Sequence, residues 1–258
     1  MKIYVLVKEV PDTYGDRKLD LETGLADRGA GDVVLDEITE RALEVALSYA
    51  DKNAGTEVVA LSMSPESATA SVRRALAIGA ASAVHVADEQ LRGADLALTA
   101  ETLAAAIRRG EPDLVITGNL STDGSGGVIP AMLAEHLGYA QATALSALEI
   151  TAEQVTGTRA GDDGTQQVTA TLPAVISITE ALPDARFPNF KGIMAAKKKP
   201  LEVLSLADLG VSADPAEAPH TIMTAVSEKP PRAAGIKITD EGDAAAQLVE
   251  FLAQNRLV

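Results

Sequence analysis

The chain contains no cysteine and no tryptophan. Without cysteine there are no disulfides, thiolate metal sites, iron-sulfur ligands or cysteine nucleophiles, and the composition suits a reducing cytosol. Aromatic residues make up only 3% of the sequence, so the core must be built from Ala, Val, Leu and Ile. An aliphatic core of this kind favours stacked α/β layers over an aromatic-rich sandwich. Basic residues are also scarce, 22 against 37 acidic ones, for a formal net charge of −15. Nucleic-acid binding is therefore not expected, because phosphate neutralisation needs a basic stripe and the cations here are mostly dispersed. No stretch approaches the roughly 20 apolar residues of a membrane span. The apolar start from Ile3 is interrupted at Lys8 and reads as a strand, too short for a signal h-region. A cytoplasmic location without membrane insertion is expected.

Short β-branched runs alternate with helical patterns through the first 150 residues. Strands are predicted at 3–8, 57–63, 83–87, 113–117 and 143–150, several apolar enough to be buried on both faces. Leu35, Ile38, Ala42, Val45 and Tyr49 share a helical face. Val72, Ala75, Leu76 and Gly79 suggest a second helix, with Ser64 as its N-cap and Pro65 in its first turn. A third helix is predicted over 94–109, and a fourth from near Gly124 to Gly138, a residue suited to left-handed termination. The order predicts a doubly wound, mainly parallel sheet of the adenine-nucleotide-binding, Rossmann-like type.

Beyond residue 150 the pattern changes. Segments 154–159 and 166–171 flank the turn GDDG and predict a hairpin extension, followed by a strand at 174–179. Residues 211–242 have weak periodicity and read as an extended arm that needs a surface to lie on, ahead of a terminal helix over 243–255. The expected division is a nucleotide-binding domain over 1–205, containing hairpin 154–171 and a recognition segment at 178–200. An arm and terminal helix over 206–258 would pack on a partner.

The segment DLVITGNLSTDGSGGVIPAMLAEHLG, residues 113–138, is the most chemically suggestive. A buried strand, a loop rich in Gly, Ser, Thr and Asp, and a helix follow one another. Such a loop can turn consecutive N–H groups toward a phosphate, aided by the helix dipole. An ordinary strand-to-helix turn has the same composition. There is no Gly-Lys-Ser/Thr ending and no GxGxxG after the first strand, so triphosphate hydrolysis is disfavoured.

GNLSTDGSGG resembles the nucleotide loop of electron transfer flavoprotein beta subunits. The start VLVKEVPDT, the helix LDEITERALEVAL and the segments SMSPESATASVRRALAIGA and LPAVISITEALPDARFPNFKGIMAAKKKPLEV are similar to that family in order, over residues 1–210. The closest variety is the bacterial type. The resemblance implies a heterodimer with an alpha subunit, FAD held mainly by that subunit, and a structural AMP in this chain. It implies an electron carrier without substrate turnover of its own. Electrons would come from flavin dehydrogenases, such as those oxidising acyl-CoA in fatty acid oxidation, and pass to a membrane quinone oxidoreductase. A stand-alone adenine-nucleotide sensor and an ATP-using hydrolase or ligase are the rival readings.

Carried over by position, the AMP contacts fall on Leu6, Met63 and the run Gly118, Asn119, Ser121, Thr122, Asp123, Gly124, Ser125, Gly126, Gly127, Val128 and Ile129. The N–H groups of Gly126, Gly127, Val128 and Ile129 are best placed for the phosphate. Many family members carry polar residues at the last two positions, so backbone contacts would have to suffice there. An Asn-Pro-aromatic piece of the family aligns with Asp36, Glu37, Ile38 and Thr39, without its aromatic residue. Thr13, Tyr14 and Ile38 are the candidates for a wall against the flavin. The partner-recognition segment places Phe190 as anchor, with Phe187, Ile193 and Met194 as neighbours and Lys197, Lys198 and Lys199 as a charged rim. Core packing explains the same two rings equally well, and a helix C-terminus explains the lysines. Arg159 resembles a family arginine facing the flavin region, but Ala160 stands where an acidic residue often follows. His85, His136 and His220 lack metal-like spacing and read as surface or packing residues, so no metal site is expected.

Overall fold

The computed structural model describes residues 1–214, 216 and 221–258. It divides into two compact units, 1–224 and 225–258.

The first unit is organised by a nine-stranded sheet. Strand β1 (Lys2–Leu6) lies in its interior; a short two-stranded ribbon, β2 (Glu9–Pro11) with β3 (Val33–Leu35), follows it. Strands β4 (Glu57–Met63), β5 (Ser82–Val86), β6 (Leu114–Gly118) and β7 (Ala140–Ile150) come next in the chain. The hairpin is β8 (Gln154–Gly161) and β9 (Gly164–Thr171), and β10 (Ala174–Ile178) and β11 (Leu201–Leu204) complete the set. In space the order is β11-β5-β4-β1-β6-β10-β7-β8-β9, parallel as far as β7 and antiparallel through the hairpin.

The parallel strands are apolar on both faces because helices cover both. Ile3, Val5, Leu114, Ile116 and Ile176 join one core with Leu43 of α1 (Glu37–Ala50) and Val72 of α2 (Thr69–Ile78). Tyr4, Leu61, Val115 and Val175 join the other with Leu103 and Ile107 of α3 (Leu96–Gly110) and Leu133 of α4 (Ile129–Leu137). The period-two alternation within each strand sends successive side chains to opposite cores. Helix α5 (Phe190–Ala196) packs on α2, and α6 (Leu206–Leu209) on α3. The terminal helix α7 (Ala244–Gln254) belongs to the second unit. Among the described residues, 211–243 form no helix or strand.

The mainly parallel α/β sheet, the hairpin and the terminal helix agree with the sequence reading. Several local expectations do not. Ser64 does not cap α2: its hydroxyl hydrogen-bonds with Ser62 and His85, and a 3₁₀ turn at Glu66–Ala68 precedes the helix. Helix α4 starts at Ile129 and not near Gly124, with Pro130 in its first turn, so the glycine loop stays irregular to its end. Gly138 does terminate it, at φ 67°. Leu35 belongs to β3 and not to the α1 face, and β7 begins three residues before 143. The short strands β2, β3 and β11 leave no signal in the sequence, because three or four residues carry too little periodicity.

Candidate functional site

Strand β1 has β4 on one side and β6 on the other, so the chain winds away from it in both directions. A crevice forms beyond the carboxyl ends of strands at such a reversal. Here it is a cavity of about 920 Å³, near the upper end of small-molecule sites.

Leu6 at the end of β1 and Met63 at the end of β4 line it, with Ile38 and Thr39 from the first turn of α1. The loop after β6 supplies Gly118, Asn119, Ser121 and Gly124, then Gly126, Gly127 and Ile129. Thr122, Asp123, Ser125 and Val128 shape this loop and do not line the cavity. Ser125 N–H donates to Ser121 O at 3.0 Å and its hydroxyl to the same oxygen at 3.2 Å. The Gly124 N–H is spent on Ser121 Oγ and on its neighbour Asp123 Oδ1. In contrast, the N–H groups of Gly126, Gly127, Val128 and Ile129 have no hydrogen-bond partner among the described residues. Such donors, the last opening a helix, are free to bond water or an anion. Gly127 sits at φ 68°, a left-handed conformation that favours glycine, and a Cβ built there would lie 2.7 Å from Leu120 Cδ2.

Charge gathers at the loop that carries these donors. Lys8 Nζ lies 2.7 Å from Asp123 Oδ1, and Arg28 Nη2 lies 3.8 Å from Asp123 Oδ2. Burial would push the Asp123 carboxyl up, but the Lys8 hydrogen bond and charge, with Ser121 and the Gly124 amide, hold it below the usual range. Asp36 is 1% exposed, and its Oδ2 accepts the Thr122 N–H at 2.9 Å. Its Oδ1 is buried without a hydrogen bond. Burial raises the Asp36 acid above its ordinary value, opposed by the Thr122 and Ile38 amides and reinforced by the charge of Asp123. Asp36 thus braces the loop from behind, and Glu37 is exposed to solvent.

The electron transfer flavoprotein domain model matches residues 23–209. The electron transfer flavoprotein subunit beta of Mycobacterium tuberculosis is 47% identical over 264 residues, covering 99% of both chains. This chain belongs to the electron transfer flavoprotein beta-subunit family. The subunit beta of Syntrophomonas wolfei is 35% identical, covering 98% of this chain and 96% of its own. The caffeyl-CoA reductase-Etf complex subunit CarD of Acetobacterium woodii is 33% identical, covering 82% and 81%.

The other residues nominated by the family resemblance separate in space. Tyr14 is fully exposed and Thr13 is exposed, whereas Ile38 is buried against Gly118. Ile38 therefore serves the cavity wall. Phe187 and Phe190 are 90% and 80% exposed, and Ile193 and Met194 are about half exposed. Neither ring is core. Lys197 and Lys198 are exposed, but the Lys199 ammonium turns inward and donates to Leu76 O at 2.9 Å and Ala80 O at 2.6 Å. It caps the carbonyl end of α2. Arg159 donates to Gln166 across the hairpin at 2.8 Å. His85 is a packing residue at 0% exposure, its Nε2 2.9 Å from Ser64 Oγ, and burial lowers its pKa. His136 is exposed, and His220 lies outside the described residues.

Sequence reading passed over Lys8 and Arg28, and with them the hairpin at 18–27, whose Leu25 lines the cavity. Their signal was weak because each is one cation or leucine in an irregular stretch. Among the described residues no helix is long and apolar enough to cross a membrane.

Proposed function

We propose that the cavity holds a structural adenine nucleotide, AMP, and that the chain works as the beta half of a heterodimer carrying FAD mainly on its alpha subunit. The unpaired N–H groups of Gly126, Gly127 and Ile129, which line the cavity, carry this reading, with that of Val128 between them. They would receive the phosphate, with Lys8 and Arg28 adding positive charge and Leu6, Ile38 and Met63 forming an apolar wall for the base. Asp123 pairs with both cations and holds them at the cavity, leaving a net positive charge for an anion. A nucleotide that binds only the folded chain stabilises it by mass action.

FAD supplies the redox chemistry when bound, and the protein contributes binding, orientation and electrostatics. For the flavin this chain offers outer surface at Thr13 and Tyr14, consistent with a wall set against a cofactor held elsewhere. The exposed pair Phe187 and Phe190, beside Lys197 and Lys198, suits insertion into flavin dehydrogenases as an aromatic anchor with a charged rim. The Acetobacterium relative, named for a caffeyl-CoA reductase complex, supports donors or acceptors that work on CoA esters. Acyl-CoA dehydrogenases as donors and a membrane quinone oxidoreductase as acceptor complete the reading, with the carrier in the cytoplasm.

The test is co-expression with a candidate alpha subunit, purification, denaturation and identification of the released nucleotides. FAD and AMP in about equal amounts support the proposal. A homodimer without flavin overturns it in favour of a nucleotide sensor, and two FAD per heterodimer would put flavin in the cavity.

A further inference from the structure

One wall of the cavity is a small hairpin over residues 18–27. It is closed by Asp20 N–H to Leu25 O at 2.8 Å, Asp27 N–H to Lys18 O at 2.9 Å and a bridge between Leu19 and Ala26. Asp20 Oδ1 accepts the Glu22 and Thr23 N–H groups, and Gly24 takes φ 72° to complete the turn. Toward the cavity the hairpin presents Leu25, whose side chain packs against Gly93. Following the hairpin, Arg28 donates to Glu9 O at 3.1 Å and stands near Asp123.

Residues 221–224 of the C-terminal segment belong to the same compact unit as this hairpin. Met223 covers Gly24 so closely that a Cβ built there would lie 2.6 Å from Met223 Cγ, and Gly24 is buried as a result. Two residues earlier, Thr221 N–H donates to Asp95 Oδ2 at 2.7 Å. The other oxygen of Asp95 caps α3 through Leu98 N–H at 2.9 Å, and Leu96, Thr99 and Leu103 of that helix line the cavity. The segment is therefore fastened at one point to the hairpin and at another to the helix start that forms the neighbouring wall. These two walls meet at Leu25 and Gly93, where Arg92 also acts electrostatically on Asp20 of the hairpin.

We propose that Met223 and Thr221 are positioning residues of the nucleotide site, which clasp the 18–27 hairpin to the start of α3 and so set how fast a nucleotide leaves. The proposal rests on the adenine-nucleotide reading of the cavity. Its physical basis is that hairpins of this size are marginal alone and need packing to stay formed. Opening the clasp frees Leu25 to move off Gly93 and uncovers the mouth of the site.

The experiment uses the purified heterodimer loaded with AMP, with FAD content as an internal control. Met223→Ala and Thr221→Pro should speed AMP release about tenfold, as expected when a change acts on dissociation and not on encounter. Both should also accelerate amide hydrogen exchange at residues 20–27. Met223→Leu should restore wild-type behaviour, and Ile222→Ala, at a side chain 73% exposed, should show none of these effects. Unchanged exchange over 20–27 in Met223→Ala overturns the clasp. Faster exchange with unchanged AMP release overturns its role in retention. A wild-type heterodimer with no affinity for AMP would instead overturn the reading of the cavity, and hydrogen exchange would still decide whether Met223 holds the hairpin.

Discussion

Lys8 Nζ, two residues past the end of β1, lies 2.7 Å from Asp123 Oδ1 in the loop after β6, although 115 positions separate the two in sequence. The pair joins the two strands that bound the cavity and keeps a cation beside unpaired backbone donors.

Replacing Asp123 with Asn should cost about 1–3 kcal/mol at neutral pH, the range for a charged hydrogen bond that is partly buried. The Asp123 pKa is lowered in the folded chain. Its contribution is therefore fully present above the unfolded value of about 3.9 and is lost as pH falls through the lower folded value. Denaturant titrations of wild type and Asp123→Asn should differ at pH 7 and converge at the acid end. A constant difference at every pH contradicts the ion pair.

Asp36 should behave in the opposite way. Its folded pKa is raised, so the folded state holds its proton more tightly and stability falls as pH rises from the unfolded value through the folded one. Asp36→Asn keeps an acceptor for the Thr122 N–H and removes the buried charge. It should be near neutral or stabilising at pH 7, whereas Asp36→Ala should cost about 1–3 kcal/mol by leaving that donor unsatisfied. Urea denaturation of the two variants side by side checks the order.

Three consecutive lysines should separate by their surroundings. Lys199→Ala removes donors from the Leu76 and Ala80 carbonyls at the end of α2 and should destabilise by about 1–2 kcal/mol. Lys197→Ala and Lys198→Ala, at exposed positions, should stay within about 0.5 kcal/mol. Thermal unfolding distinguishes them, and equal effects at all three would refute the cap.

Phe190→Ala and Phe187→Ala should leave stability within about 0.5 kcal/mol, because both rings are in solvent. They should slow reduction by a partner dehydrogenase without changing FAD content. The base of this segment is held by Arg186, whose guanidinium and backbone N–H bind Glu44 at 2.8–3.0 Å and whose Nη2 also reaches Asp51. Arg186→Lys loses the paired geometry. Stopped-flow reduction should then be slowed with Phe190 still present, and proteolysis between 180 and 190 should be faster than in wild type.

What the sequence determined by itself was the layered architecture and the place of the glycine loop. Val58 to Leu61 and Leu114 to Ile116 are apolar at every position, which only a strand covered on both faces tolerates, and the loop that follows β6 has the composition of a turn with free donors. Ordered motifs along the chain identified the family for the same reason, since each is local. The tertiary structure alone decided which charges meet at the cavity, that Phe190 faces outward, that Lys199 caps a helix, and that Met223 closes on Gly24. Each depends on residues tens to over a hundred positions apart, and the periodicity of a segment carries no information about which distant side chain packing brings against it.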